Sequence, residues 1–370
     1  MSSAPYRADH VGSLLRPAKI HDANEQFAEG KISKAELTAI EDEGIKGLIK
    51  MQEDVGLKVV TDGEARRHFW HYDFIAGLDG VEFVTRDAET GNAFHGIKHP
   101  ATFPTITGKL DFPDDHPMLE HFKFVAANTK VTPKISIPGP SVAHYRTAKA
   151  DIHVKDYADT EVLMADLAKT FAKVVQKFYD AGCRYLQMDD IYFAYLGDEK
   201  QRALKRAEGH DPDWLITQYA WMMHEAIKDR PKDMLIGMHM CRGNFRSTWA
   251  AEGGYDAAAD AIFNQTGVDL FFMEYDNDRS GGLEPLRLLP KGKQRVYPGF
   301  ITTKTGALES MDMLKAQFDK ASKFVDMDQL GIAPQCGFSS TEHGNSITED
   351  DQKRKLELVV ETAHAIWGEP

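Results

Sequence analysis

The sequence predicts an α/β fold, a (β/α)8 TIM barrel with an insertion between its second and third strands. Two observations predict it. Short apolar runs recur eight times along the 370 residues, most of them near-continuous rather than alternating; that is the pattern of strands covered on both faces. Between most of the runs lie segments with apolar residues at helical spacing, and such alternation implies parallel βα units. An open doubly wound sheet shares the alternation, but no GxGxxG follows the first run, which favours the barrel.

The expected strands are Ala8–Val11, Leu57–Thr61, Val131–Ile137, Tyr185–Met188, Met234–Met238, Val268–Met273, Arg295–Phe300 and Gln329–Ala333. Lys34–Glu53 reads as the first barrel helix. Asp159–Ala181 follows the third strand, with Val162, Leu163, Leu167, Phe171, Val174, Val175 and Phe178 on one stripe. Trp214–Lys228, Asp256–Gln265, Leu308–Phe324 and Glu349–Trp367 read as later helices. Eight such units need about 250 residues and tolerate extras. The surplus falls at Arg66–Lys130, where Gly80, Gly91, Gly96 and Gly108 point to a hairpin. With no linker or low-complexity tract, residues 1–370 read as a single domain carrying 66–130 as an insertion.

Composition narrows the function. The 44 basic and 57 acidic residues leave a net charge of −13, against the basic footprint of a nucleic-acid binder. No run of eighteen apolar residues exists, so a membrane span is not expected. No apolar stretch follows a basic one at the N-terminus, so no signal peptide is expected. Three cysteines are too few and odd in number for a disulfide scaffold and fit a reducing cytoplasm.

Barrel enzymes carry their sites at the C-terminal ends of the strands. Here nearly every run ends in polar or chelating groups: Gly12-Ser13, Asp62-Gly63-Glu64, Gly139-Pro140-Ser141, Asp189-Asp190, His239-Met240-Cys241, Glu274 with Asp276, Thr302-Thr303-Lys304 and Gln335-Cys336-Gly337. His239 and Cys241 lie two apart on a strand, so both face one side, about 6–7 Å apart along it. Glu274 ends the next strand and Cys336 the last. One imidazole, two thiolates and one carboxylate make a tetrahedral zinc set. Taken singly, each is a buried hydrophobe, a loop acid or a chance pair; their joint placement points to metal. Cys183 begins a strand at the opposite end and reads as structural.

Two thiolates and a carboxylate outweigh Zn2+ and leave the site near −1, a poor Lewis acid for a carbonyl. Such a site favours a substrate thiol, whose pKa near 8.5 it lowers while leaving a nucleophile. The chemistry indicated is alkylation of a thiol, with Glu274 the displaceable ligand.

The set Val11-Gly12-Ser13, Gly63-Glu64-Ala65, Gly139-Pro140-Ser141, Leu186-Gln187-Met188-Asp189, His239-Met240-Cys241, Glu274 and Cys336-Gly337 resembles the catalytic half of the cobalamin-independent methionine synthase family. The resemblance spans nearly the whole chain and is closer to short, single-domain members. It implies that His239, Cys241, Glu274 and Cys336 bind zinc. It implies that Glu64 and Asp189 hold the α-amino group of a homocysteine-like thiol, and that the Gly12-Ser13 backbone meets its carboxylate. The alternative for the two acids is a structural ion pair with Arg66, Arg67 or Arg184. Methylfolate or another small methyl donor is the implied second substrate, with homo-oligomerisation an option.

Two departures stand out. The family's long members have an N-terminal barrel that grips the folate tail, for which this chain has no room. They also carry a catalytic His after strand seven, where this chain reads Gly299-Phe300-Ile301-Thr302-Thr303-Lys304. Lys304, His68, His71 and His343 are the candidate replacements, with Lys304 and Glu274 the expected catalytic pair. The stretch His68-Phe69-Trp70-His71-Tyr72 either lines the mouth or packs on the rim. His343 and Asn345 lie in a loop that either closes over the site or connects to the last helix. Competing readings are alkyl transfer resembling epoxyalkane:coenzyme M transferases, a non-catalytic zinc- or small-molecule-binding barrel, and a metal-free decarboxylase resembling uroporphyrinogen decarboxylase.

Overall fold

The computed structural model describes residues 6–86 and 101–370. Gly91 and Gly96 of the expected hairpin, and Met1–Pro5, lie outside the described residues. The strands are β1 (Val59–Val60), β2 (Asp79–Arg86), β3 (Ala101–Asp111), β4 (Thr132–Pro133), β5 (Ile135–Pro138), β6 (Tyr185–Asp189), β7 (Leu235–Met240), β8 (Leu270–Glu274) and β9 (Arg295–Gly299). Strands β5 to β9 form one parallel sheet in chain order, β1 pairs with β4 in parallel, and β2 with β3 antiparallel. Every residue of β5, β6, β8 and β9 is buried, which is why these runs read as continuous rather than alternating.

Three expected strands differ. Ala8–Val11 and Gln329–Ala333 make only single parallel bridges, Ala8 to Ile332 and Leu330 to Val296, with Pro334 bridging Ile301 just beyond. The His10 N–H is taken by the Asp9 side chain at 2.7 Å, and Pro334 has no N–H to offer a ladder. Val131–Ile137 divides at Lys134. Its Nζ is fully buried and meets Asp9 Oδ1 at 2.6 Å and Gln187 Oε1 at 3.1 Å. A buried ammonium demands such partners; at this residue the chain passes from pairing with β1 to pairing with β6.

The expected helices form where caps mark them. Lys34–Asp54 opens on a Ser33/Glu36 capping box, and Glu349–Trp367 on one made by Thr348 and Asp351. Thr160–Asp180 is capped by Asp159, and Pro212–Ile227 by Asp211 with proline at its first position. Leu308–Phe324 contracts to Met311–Ala321. Asp256–Gln265 is not an α-helix but a π turn at Ala261–Gln265; just before it, the Tyr255 hydroxyl donates to Met240 O at 2.6 Å and accepts from Glu274 N at 2.9 Å. Helices Ala18–Ala28, Pro117–Asn128, Ser141–Arg146, Tyr192–Tyr195 and Glu199–Ala207 were not anticipated.

Within the insertion, β2 and β3 supply the hairpin arms. Gly80 has φ +78°, and a Cβ there would press on the Gly108 and Lys109 carbonyls; it marks the register shift between Asp79 and Val81. Phe83 packs on Tyr72 with centroids 5.1 Å apart, setting the hairpin against the loop after β1. A small second core gathers Val11, Val59, Tyr185, Leu270, Phe272, Tyr297 and Ala333, from six of the eight runs. Among the described residues no helix is long and apolar enough to cross a membrane.

Candidate metal centre

His239 lies on β7, Cys241 follows that strand, and Cys336 lies beyond the last apolar run. One ring nitrogen and the two sulfurs lie within 4.8 Å of one another, all buried. Zinc at about 2.3 Å from sulfur and 2.0–2.1 Å from nitrogen spaces tetrahedral ligands about 3.6–3.8 Å apart, so closing on an ion needs a shift of about 1 Å or less. His239 Nδ1 is buried with no hydrogen-bond partner and stands 3.7 Å from Asp189 Oδ1. Burial opposes charge on His239, yet the nearby Asp189 carboxylate and Cys336 sulfur outweigh it and lift the imidazole to about 10. Contact with Cys241 pulls the Cys336 thiol well down, and the same contact pushes Cys241 well up. The cluster therefore draws positive charge to itself, and its soft donors and orphaned nitrogen fit zinc.

Glu274 ends β8 as expected but is not within that triad. Its Oε2 accepts the Arg242 N–H at 2.7 Å, and its Oε1 meets the Arg279 guanidinium closely and Lys304 Nζ at 3.8 Å. Burial raises its pKa, but Lys304, Arg242 and Arg279 outweigh that and hold it below the usual range. Arg242 is itself fully buried, donating to Gly253 O, Ser280 O and Tyr255 Oη. Neither Arg242 nor Arg279 was anticipated. Arg242 follows the H-x-C pair directly, and that adjacency was the available signal.

Glu64 follows β1 with φ +56°, after Gly63 at +67°, a costly conformation for a non-glycine residue. An Asp62 side chain accepting its N–H at 2.9 Å holds the turn. Its Oε2 is buried without a hydrogen-bond partner, 3.5 Å from Arg67 Nη1. Burial, more than the opposing Arg67 charge, pushes this carboxyl up to about 8. Asp189, at the end of β6, accepts from Gln187 Nε2 at 2.8 Å. Of the alternative partners, Arg66 pairs with Glu41 and Asp42, and Arg184 with Asp233; only Arg67 approaches Glu64, while its Nη2 donates to Ser136 O at 2.6 Å. Ser13 Oγ accepts from Ser339 N at 3.3 Å. Gly12 has φ +139°, and a Cβ would overlap Ser136 Oγ and reach 3.4 Å from Glu64 Oε1. Gly12→Ala is therefore expected to cost about 1–3 kcal/mol of stability, read as a lowered urea midpoint with unchanged slope; an unshifted midpoint would remove the packing argument.

These groups share one cavity, lined by Ser13, Glu64, Asp189, His239, Cys241 and Cys336. Aromatic rings from the 68–72 loop, with Phe103, Tyr195 and Phe245, and the guanidinium of Arg146 complete the wall. Gly12, Glu274 and Lys304 are not among its lining residues. Lys304 Nζ is buried and faces Glu274. His68 is exposed and bonds Glu342 Oε2 at 2.7 Å. His343 packs on Phe245 with centroids 5.6 Å apart. Of the four candidates for the missing histidine, His71 alone lines the cavity. The 68–72 loop both lines the cavity and packs on the rim, Trp70 N donating to Ser340 O at 3.0 Å. Asn345 is a tie between loops, its amide donating to Thr303 O and accepting from Ser247 N. Cys183 lies apart from the triad, its thiol directed at Tyr185 O at 3.2 Å and pushed by burial up to about 12. Arg146 and Asn244 in the wall were not anticipated.

A family model described as the catalytic domain of cobalamin-independent synthases matches residues 7–364. Two uncharacterised Bacillus subtilis proteins, YxjH and YxjG, are 45% and 44% identical, each alignment covering 98% of this chain and 95% of the relative. The 5-methyltetrahydropteroyltriglutamate–homocysteine methyltransferase of Lactococcus lactis subsp. cremoris is 21% identical over 91% of this chain and 41% of its own length. A Listeria monocytogenes structure with a provisional vitamin-B12-independent methionine synthase assignment superposes with TM-score 0.78 at 38% identity, over 100% of both chains. The B12-independent methionine synthase of Shewanella sp. W3-18-1, solved with selenomethionine, shares the fold at TM-score 0.72 and 21% identity, over 99% of this chain and 98% of its own.

Proposed function

The chain belongs to the cobalamin-independent methionine synthase catalytic-domain family, and from that premise we propose that it is a zinc-dependent enzyme transferring a methyl group from a small donor to the thiol of homocysteine, giving methionine. The observation that carries the reading is the buried triad of His239, Cys241 and Cys336 in one cavity with the buried carboxyl of Glu64.

His239, Cys241 and Cys336 would hold zinc, with Glu274 in reserve as a fourth donor while Arg279 and Lys304 balance its charge. When bound, zinc supplies a cation that keeps a substrate thiol deprotonated near neutral pH. The chain's own residues do the rest. Glu64 and Asp189 hold the ammonium, since two acids are needed where one buried carboxylate lacks a partner. The backbone at Gly12-Ser13 faces the carboxylate. The aromatic wall excludes water, so the thiol's sulfur meets the donor's methyl carbon rather than solvent. The leaving group takes its proton from a group of the cavity wall. Lys304 reaches Glu274 rather than the cavity, so its contribution is to the charge of that carboxylate.

The framework we propose is a closed (β/α)8 barrel over residues 1–370, one domain with 66–130 inserted, acting in the cytoplasm. Closure is supported by the bridges joining Ala8, Ile332, Leu330 and Val296, by Leu14 N donating to Gly63 O, and by the second core drawn from six runs.

Zinc-loaded protein given homocysteine and 5-methyltetrahydrofolate is expected to form methionine, and chelator-stripped protein none. Calorimetry in two buffers of different ionisation enthalpy is expected to show one more proton released on homocysteine binding to the zinc-loaded form than to the stripped form, beyond the proton that Glu64 gives up in both. That readout reports thiol activation whichever donor is physiological. Absence of both methionine and that extra proton would overturn the proposal.

A further inference from the structure

Arg146 ends the short helix after β5 and lines the cavity. Its Nε donates to Tyr192 Oη at 2.5 Å. Among the described residues no carboxylate lies within 4 Å of it and no other hydrogen bond engages its fork. The neighbouring buried arginines are all engaged: Arg16 donates to the Thr341, Glu64 and Arg67 carbonyls, Arg67 to Ser136 O, and Arg279 to Glu274. A guanidinium is a bidentate fork made for an oxyanion, and this one faces a cavity without one.

A second observation points the same way. His71 is 5% exposed, and both its ring nitrogens are buried without a partner. It lies between Trp70, stacked at 4.5 Å, and Tyr72, stacked at 3.9 Å, and it lines the same cavity. Burial first, then the nearby Arg146 charge, keeps the imidazole neutral. An unpaired buried polar group costs free energy until something bonds it. A ligand anion seated on Arg146 answers both needs, and the stacked rings offer its body a flat, apolar wall.

We propose that Arg146 and His71, flanked by Trp70 and Tyr72, form the recognition site for a carboxylate, sulfonate or phosphate group carried by a flat or apolar second substrate, the methyl donor. The assignment to the donor rests on the reading of Glu64 and Asp189 as the thiol's ammonium site. The groups that weigh on Glu64 are Arg67, Asp189, Arg16 and Asp62, and those on Arg146 are Tyr192, Tyr72 and Tyr195. The side chains that weigh on Glu64 and those that weigh on Arg146 are thus different sets.

The test uses zinc-loaded protein and calorimetry with benzoate, phenyl phosphate and benzamide, each with homocysteine present. At least one oxyanion is expected to bind about tenfold tighter than benzamide, and the stronger of the two identifies a carboxylate or a phosphate donor. R146Q is expected to erase that preference while homocysteine affinity moves by less than about twofold. R146K, which keeps the charge and loses the fork, is expected to bind the oxyanion at least about threefold more weakly than wild type, and serves if R146Q does not fold. Equal binding of benzamide and both oxyanions, or an undiminished preference in either variant, overturns the proposal. A parallel loss of homocysteine affinity in R146Q would assign Arg146 to the thiol and overturn it too. Wild-type protein that fails to bind homocysteine would overturn the thiol reading itself, a result distinct from unselective anion binding.

Discussion

Cys241→Ser is expected to abolish zinc retention and to lower methionine formation by more than a hundredfold, with the fold intact by circular dichroism. Loss of an outer-shell partner alone costs about 10–100-fold in metal affinity or activity, and Cys241 is proposed as a ligand itself. Serine is nearly isosteric, so the cavity is unchanged, but its hydroxyl does not ionise near neutral pH and is hard where the site is soft. The triad then offers one imidazole and one thiol, too few for a stable zinc site. The fold has other supports near the residue: Tyr255 ties Met240 to Glu274, and Arg242 anchors the loops beyond. Cys183→Ala is the control. Its thiol faces Tyr185 O, away from the triad, so zinc content and turnover should match wild type. Metal analysis beside a methionine assay reads both. Persistent turnover by Cys241→Ser without zinc would falsify the proposed chemistry.

The parts of this site legible in the sequence are those fixed by backbone direction. A strand ends at a definite place, so side chains just past an apolar run converge if neighbouring strands are parallel. His239 and Asp189 are paired residues of adjacent strands, and Glu274 pairs with Gly299; alternation and run length carried that much. The triad of His239, Cys241 and Cys336 follows from the same rule. What escaped depends on long side chains crossing between loops. Arg279 reaches back to Glu274 from five residues downstream, and no periodicity reports it. Arg146 ends a six-residue helix too short to announce itself. Lys134 sits inside an apolar run, and its ammonium is held inward by Asp9 and Gln187. Tyr255 ties two strand ends through its hydroxyl, a tertiary contact that local spacing does not report.

Glu64→Gln is expected to weaken homocysteine binding by about 10–150-fold, the loss of a charge-assisted bond worth about 1.5–3 kcal/mol. Binding of an amine-free thiol such as 2-mercaptoethanesulfonate should change little. Glutamine keeps the shape and removes the charge, so the comparison isolates the ammonium. The same carboxyl predicts a pH dependence. Burial lifts it to about 8 in the free protein, against an ordinary value near 4.5, so it is mostly protonated at pH 7. Pairing with an ammonium requires the ionised form, so ligand binding must expel that proton. Homocysteine affinity should then rise with pH toward 8, by up to about tenfold per unit, and level off above it. The amine-free thiol carries the same ionising sulfur and none of this dependence, so the difference between the two slopes belongs to Glu64. The free protein gives the opposite sign for stability. A raised carboxyl holds its proton in the folded state while the unfolded chain releases it, so this residue's contribution declines as pH climbs from about 4.5 to 8. In Glu64→Gln both trends should vanish together. If the homocysteine slope survived the substitution, the ammonium would be bound elsewhere in the cavity and the amino-acid assignment would fall.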